Sequence, residues 1–364
     1  MNLNLKKLRD LGQSLWLDNI SRTMLDDGTL AIYIQDFSVS GLTSNPTIFE
    51  QALGAGDCYD QQIDELARAG KAGEELFFEL ALRDLTRAAD LFRPIFDASG
   101  GVDGWVSLEV SPTIVDDTAK TIAAAAQLHS AAARPNLYIK IPGTVAGVQA
   151  IEDSIFAGVP VNVTLLFSRE QYLAVAEAYM RGIERRIGAG LDPKVESVAS
   201  LFVSRWDVAV KDEVLAQQRN RLGIAISKQT YKAYCDFLAA PRWQKLAATG
   251  AHPQRLLWAS TGTKDPAAAD TLYVESLAAP ATVNTMPDKT LLAFADHGKI
   301  SAVLPPDGGD AEAVLAEFRA FGIDHEALAL RLQREAAASF QKSWDKLLAR
   351  IRGKGAHLAG AMIR

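Results

Sequence analysis

Short apolar runs alternating with helical patterns constrain this chain more than any other feature. The candidate strands are Leu15–Asn19, Gly41–Asn45, Trp105–Val110, Leu137–Ile141, Pro160–Leu165, Val198–Val203, Arg255–Ser260 and Ala281–Thr285. Several are apolar throughout except for one or two polar residues near the end. Strands buried on both faces of a parallel sheet read this way. The intervening stretches are long enough for crossover helices. In Ser168–Arg185, Tyr172, Val175, Ala176 and Tyr179 recur at helical spacing behind a Ser168 cap, with Glu170 in the first turn. Eight strand–helix units predict an α/β fold, a (β/α)8 barrel of the TIM type, which needs ~250 residues. The chain has 364 residues, an excess of roughly 110 over that estimate. Two regions supply it. One is a helical insertion after the second strand, at about 46–104, with helical patterns around Tyr59–Ala69 and Glu74–Phe96. The other is the tail after His297, about 298–364. There Pro305–Gly309 reads as a loop, and Asp324 can cap a final helix to Arg352. Phe340, Trp344, Leu347, Leu348 and Ile351 form one apolar face on that helix, which either caps the barrel or meets a second subunit in a homodimer. No Pro/Gly/Ser-rich linker divides the chain, so residues 1–364 read as one domain.

Charge and motif content exclude several classes of function. Lys plus Arg is 38 and Asp plus Glu is 44, a net charge of −6. Such a chain carries no bulk signal for nucleic acid or for an anionic membrane. No apolar run approaches the ~18 residues of a spanning helix, and no apolar stretch follows the charged N-terminus to suggest targeting. The two cysteines, Cys58 and Cys235, lie far apart. They suit a reducing cytoplasm and argue against a disulfide framework or a zinc site. The five histidines show no H-E-x-x-H spacing. Neither a G-x-S-x-G elbow nor a P-loop is present. Metal hydrolysis, serine hydrolysis and P-loop chemistry therefore have no support.

What remains is the set of polar residues at the C-terminal ends of the strands, where barrels carry their chemistry. Lys140 lies between Ile139 and Ile141. Burial disfavours an ammonium and lowers its pKa, and a neutral amine can attack a carbonyl to form a Schiff base. The alternative is a lysine that snorkels to solvent or pairs with a carboxylate. Glu109 can shuttle protons or hold a water beside such an amine, or serve as its structural partner. Asn162 and Thr164, two apart, share one side of the sheet. They bind hydroxyls or a water there, or satisfy each other within a barrel layer. Asp18 is a candidate acid/base or a helix N-cap before Ile20–Leu25. Thr43-Ser44-Asn45, before Pro46, read equally as a turn or cap. Arg205 and Lys264, with the Ser260–Lys264 loop, would suit a phosphate.

Taken together, these segments resemble transaldolases, members of the class I aldolase group. The matching motifs are Gly-Leu-Thr-Ser-Asn-Pro-Thr-Ile-Phe (41–49), Val-Ser-Leu-Glu-Val (106–110), Leu-Tyr-Ile-Lys-Ile-Pro-Gly-Thr (137–144), Val-Asn-Val-Thr-Leu-Leu-Phe-Ser (161–168) and Val-Ala-Ser-Leu-Phe-Val-Ser-Arg-Trp-Asp (198–207). They span roughly residues 10 to 300, and their joint order is far more specific than any one of them. The insertion after Asn45 is similar to that of a bacterial branch, which resembles the transaldolase part of transaldolase/glucose-6-phosphate isomerase fusions.

The resemblance implies a transferase of the non-oxidative pentose phosphate pathway. Such an enzyme moves a dihydroxyacetone unit from sedoheptulose 7-phosphate to glyceraldehyde 3-phosphate. It implies Lys140 as the Schiff-base lysine, Asp18 as the acid/base at the C4 hydroxyl, and Glu109 with Thr164 as holders of a proton-relaying water. It implies Asn45 and Asn162, with Ser200, at the dihydroxyacetone hydroxyls, and Arg205 with Ser260 at the phosphate. Ser44 would support the same pocket. Because the imine is the electron sink, no metal or organic cofactor is expected. Two positions bear on the match. Better-known members carry an arginine soon after the position of Ser260, where this chain has Lys264. Phe202 stands where transaldolases have Phe and fructose-6-phosphate aldolases tend to have Tyr. Such an aldolase and a non-catalytic sugar-phosphate-binding protein are the rival readings.

Overall fold

The computed structural model describes residues 2–361. Its centre is a closed barrel whose eight strands follow one another in sequence order. They are β1 (Ser14–Leu17), β2 (Val39–Leu42), β3 (Trp105–Glu109), β4 (Leu137–Pro142), β5 (Val161–Leu166), β6 (Ser197–Phe202), β7 (Arg255–Ala259) and β8 (Val283–Met286). All neighbouring pairs are parallel, and β1 closes the sheet against β8. Helices follow the strands, so the expected (β/α)8 architecture is the one observed. Strand boundaries differ from the expectation by one to three residues, and the differences in β1 and β2 bear on the site. β1 ends at Leu17, which leaves Asp18 and Asn19 on the loop beyond it. β2 starts and ends earlier than expected, because Thr43 and Ser44 turn away from it and Asn45 caps the next helix.

Alternation along the strands divides the barrel into an apolar shell and a layered lumen. At the floor, the Trp105 and Tyr138 rings stack with centroids 4.0 Å apart, and Trp16 lies 6.1 Å from Tyr138. Val198, Leu257 and Val283 belong to the same buried cluster. Gly41 pairs with Trp16 in the sheet. A Cβ on Gly41 would stand 2.7 Å from Trp16 Nε1 and 2.7 Å from the Trp105 carbonyl oxygen. The missing side chain is what lets the indole fill the floor and donate from Nε1 to Asp103 Oδ1 at 2.8 Å. A polar chain also crosses the lumen: Ser200 Oγ donates to Asn162 Oδ1 at 2.7 Å, and Asn162 Nδ2 donates to Ser107 Oγ at 3.0 Å.

The extra length falls where it was expected. Between β2 and β3 lie helices Pro46–Gly54, Asp60–Arg68 and Gly73–Ala98. The last of these packs on β3 and serves as its crossover. After β8 the chain runs through Asp288–His297 and Ala311–Ala320 to the long helix His325–Ala361. Asp324 starts that helix by accepting from the amides of Glu326 and Ala327, each at 3.0 Å. Phe340, Trp344, Leu347 and Ile351 are buried against this chain itself. The Trp344 ring meets Phe77 edge-on at 4.8 Å, and its Nε1 donates to Glu74 Oε1 at 3.0 Å. Gln333 Nε2 reaches the carbonyls of Gly143 (3.0 Å) and Leu165 (2.9 Å), at the ends of β4 and β5. Of the two uses left open for the tail, the structure has the cap.

Gly41 offers a direct test of this packing. Gly41→Ala should destabilise the protein by roughly 1–3 kcal/mol, because one of the clashing atoms belongs to backbone and cannot rotate away. Denaturant unfolding measures this. A wild-type midpoint for the variant would contradict the tight fit of Trp16.

Candidate active site

Glu109 and Lys140 are register partners on β3 and β4, and Asn162 is the partner of Lys140 on β5. Lys140 Nζ lies 3.2 Å from Glu109 Oε2, with both side chains only 5–6% exposed. Nζ also donates to the Ser44 carbonyl at 3.1 Å. The lysine therefore stays in the lumen and does not snorkel. Burial pushes the Glu109 carboxyl above its ordinary range, against the opposing pull of Lys140.

Asp18 faces the same amine from the end of β1. It is not a helix cap: Ser21 fills that role, its Oγ accepting from Met24 N at 3.2 Å. Thr43 Oγ1 donates to Asp18 Oδ1 at 2.7 Å and lies 2.7 Å from Thr285 Oγ1. Desolvation raises the Asp18 pKa, while the charge of Lys140 and the Thr43 hydrogen bond hold it down. Asn45 serves both readings: Oδ1 accepts from Ile48 N at 3.0 Å as the helix cap, and the residue also lines the pocket.

That pocket, of about 110 Å³, is lined by Asp18, Thr43, Asn45, Lys140, Thr164, Ser200, Phe202, Arg205, Ser260, Lys264, Thr285 and Phe340 among others. Thr164 Oγ1 is buried and has no hydrogen-bond partner among the described residues. Ser44, Glu109 and Asn162 are not part of the wall, and Glu109 meets the site through Lys140. The Ser44 hydroxyl donates to the Ser107 carbonyl at 2.7 Å, so Ser44 meets the site through its own carbonyl. Asn162 lies behind the wall in the Ser107–Ser200 chain. At the far end, the Arg205 guanidinium sits 5.1 Å from the Phe202 ring centroid and 5.9 Å from that of Phe340. Burial lowers the Arg205 pKa from its ordinary value. Neither Arg205 nor Lys264 makes a hydrogen bond or ion pair among the described residues. Ser260 holds a left-handed φ of 57°, with its Oγ 2.9 Å from Ser204 Oγ. An amine, a carboxylate and two unpaired cations in one pocket, with the Glu109 carboxylate against the amine, suit carbonyl addition to a phosphorylated substrate.

Sequence reasoning missed three contributors. Thr285 reads as an ordinary strand residue until the barrel closes β8 onto β1. Ser204 gives no signal apart from the neighbouring Arg205. Phe340 reads as one more position on an apolar helix face. His129, His252, His297 and His325 lie outside the pocket wall.

The family model described as Transaldolase/Fructose-6-phosphate aldolase matches residues 15–351. The chain is 45% identical to Transaldolase 1 of Streptomyces avermitilis, covering 97% of each. It is 45% identical to Transaldolase of Thiobacillus denitrificans over 96% of this chain and all of that protein. Transaldolase of Thermobifida fusca is also 45% identical, over 96% and 98% of the two chains.

The Thr43–Asp18 bond can be tested by titration. Loss of a donor that favours the carboxylate raises the acid's pKa. Asp18 should thus titrate above the ordinary aspartate value in the wild type, and higher still in Thr43→Val. Carbon NMR of the labelled carboxyl measures this. A downward shift in the variant would contradict the assigned donor.

Proposed function

This chain belongs to the transaldolase/fructose-6-phosphate aldolase family, and from that premise we propose how it works as a transaldolase and which residues carry the reaction. The substrates are sugar phosphates: a dihydroxyacetone unit passes from sedoheptulose 7-phosphate to glyceraldehyde 3-phosphate. The observation that carries the residue assignment is the buried Lys140 amine, 3.2 Å from Glu109, in a pocket that Asp18 shares.

Lys140 Nζ attacks the C2 carbonyl, and the carbonyl oxygen leaves as water. Glu109, with its raised pKa, supplies and recovers the protons of that dehydration through a water that the free Thr164 hydroxyl holds. Asp18 takes the C4 hydroxyl proton. The C3–C4 bond then breaks, its electron pair passes into the iminium, and erythrose 4-phosphate departs. The C3 carbanion equivalent adds to the aldehyde carbon of glyceraldehyde 3-phosphate, whose oxygen recovers the proton from Asp18. Hydrolysis of the new imine returns the water, frees Lys140 and releases fructose 6-phosphate. Asn45 and Ser200 bind the hydroxyls of the three-carbon unit. Asn162, through its bonds with Ser200 and Ser107, holds Ser200 in place, and Ser44 holds the lysine with its carbonyl. Arg205 and Ser260 bind the phosphate, and Lys264 supplies the charge that an arginine gives in other family members.

Phe202 favours transfer over the aldolase reading. It lines the pocket with an apolar ring, packed 5.3 Å from Phe167, and brings no hydroxyl to activate water. We read residues 1–364 as one domain working in the cytoplasm, consistent with free Cys58 and Cys235. Among the described residues, no helix is long and apolar enough to cross a membrane. A homodimer would use surface other than the tail's apolar face, which the chain buries itself.

Product analysis with fructose 6-phosphate, with and without erythrose 4-phosphate, tests the reading. The wild type should form sedoheptulose 7-phosphate with acceptor and little free dihydroxyacetone without it. Phe202→Tyr should raise free dihydroxyacetone release by roughly tenfold. Rapid release by the wild type in the absence of acceptor would make it an aldolase. Phosphate binding without turnover would support the non-catalytic reading.

A further inference from the structure

The final helix His325–Ala361 does more than cover apolar surface. It crosses the mouth of the barrel between two anchorages. Upstream of Phe340, Gln333 holds the ends of β4 and β5. Downstream, Ser343 accepts from Thr47 Oγ1 at 2.8 Å, Trp344 docks on Phe77 and Glu74, and Arg350 pairs with Glu50 at 2.6 Å. Phe340 lies between these anchorages, only 5% exposed. Its ring centroid is 5.8 Å from Lys140 Nζ and 5.9 Å from Arg205 Cζ. One ring therefore faces both the atom that carries the imine and the cation at the other end of the pocket.

We propose that Phe340 is a positioning residue that closes the pocket over the Lys140 imine, so that the three-carbon unit waits for an acceptor aldehyde and is not lost to water. The inference rests on Lys140 as the Schiff-base lysine. Two physical effects combine. The negative face of an aromatic ring within about 6 Å of a cation stabilises it, and the iminium nitrogen is Lys140 Nζ itself. The apolar ring and the clamped helix also narrow the opening through which bulk water would reach the imine. The competing loss is chemically simple. The carbanion equivalent takes a proton at C3, and water adds at C2. The C2–N bond then breaks, with the nitrogen regaining its proton, to give dihydroxyacetone and free Lys140. The water consumed replaces the one expelled when the imine formed, so no further reactant is needed. Phe202 and Phe340 line the same pocket. Phe202 comes from a barrel strand, whereas Phe340 comes from the tail, which gives the tail a part in the choice between transfer and hydrolysis.

The test is the ratio of dihydroxyacetone released to sedoheptulose 7-phosphate formed, with fructose 6-phosphate as donor and graded erythrose 4-phosphate. Phe340→Ala should raise that ratio roughly tenfold. Phe340→Leu restores apolar bulk without the ring and should recover part of the lost discrimination. Gln333→Leu leaves the pocket wall intact and releases one anchorage. It should move the ratio in the same direction, which keeps the proposal open to test if Phe340→Ala does not fold. Variants that fold and turn over with a wild-type ratio would overturn the proposal, even if kcat falls. Borohydride trapping on the wild type separates the two levels. An adduct together with unchanged ratios defeats only the role of Phe340, whereas no adduct defeats the Schiff-base reading beneath it.

Discussion

An ion pair held almost entirely out of water, Lys140 against Glu109, is the constraint around which the rest of the structure is arranged. Removing two charges from solvent costs several kcal/mol per ion before their attraction returns any of it. This pair gains little else: Lys140 adds the Ser44 carbonyl, and Glu109 stays above its ordinary pKa. Such an arrangement is poor as a stabilising device. It suits an amine that must lose and regain a proton beside a carboxyl able to exchange one.

The scaffold makes that arrangement tenable from three sides. Below, stacked Trp105 and Tyr138, with Trp16 fitted over Gly41, form a close-packed, buried floor. Around the amine, the Ser107–Asn162–Ser200 chain satisfies polar side chains with one another. Above, the tail helix lays Phe340 across the opening and is tied to the strand ends by Gln333. The helices between β2 and β3 complete the support, because Glu74 and Phe77 receive Trp344. The length beyond a minimal barrel thus roofs the pocket.

The strands and the polar residues at their ends were legible because buried parallel strands leave a plain signature: apolar runs in which a lone lysine or glutamate stands out. Period-two alternation then places Asn162 and Thr164 on one side without further information. Other features depend on the tertiary path. Whether Asp18 caps a helix or faces the lumen turns on Ser21 taking the cap, which local sequence leaves open. Asn45 could not be assigned to one role because it has two. The end of β2 is hard to read locally because Thr43 and Ser44 look like strand residues until their partners Asp18 and Ser107 are known. In the sequence Phe340 is one member of an apolar stripe. Nothing local separates a ring that packs in a core from one that roofs a pocket 200 residues away in sequence from Lys140.

The central claim is that Lys140 forms the covalent intermediate. Its most direct test is intact mass after borohydride reduction in the presence of fructose 6-phosphate, with peptide mapping, for wild type and Lys140→Ala. A reduced three-carbon adduct on the wild type, located at residue 140 and missing from the variant, is the result this account predicts. An unmodified wild-type protein, or an adduct on another lysine, would contradict it.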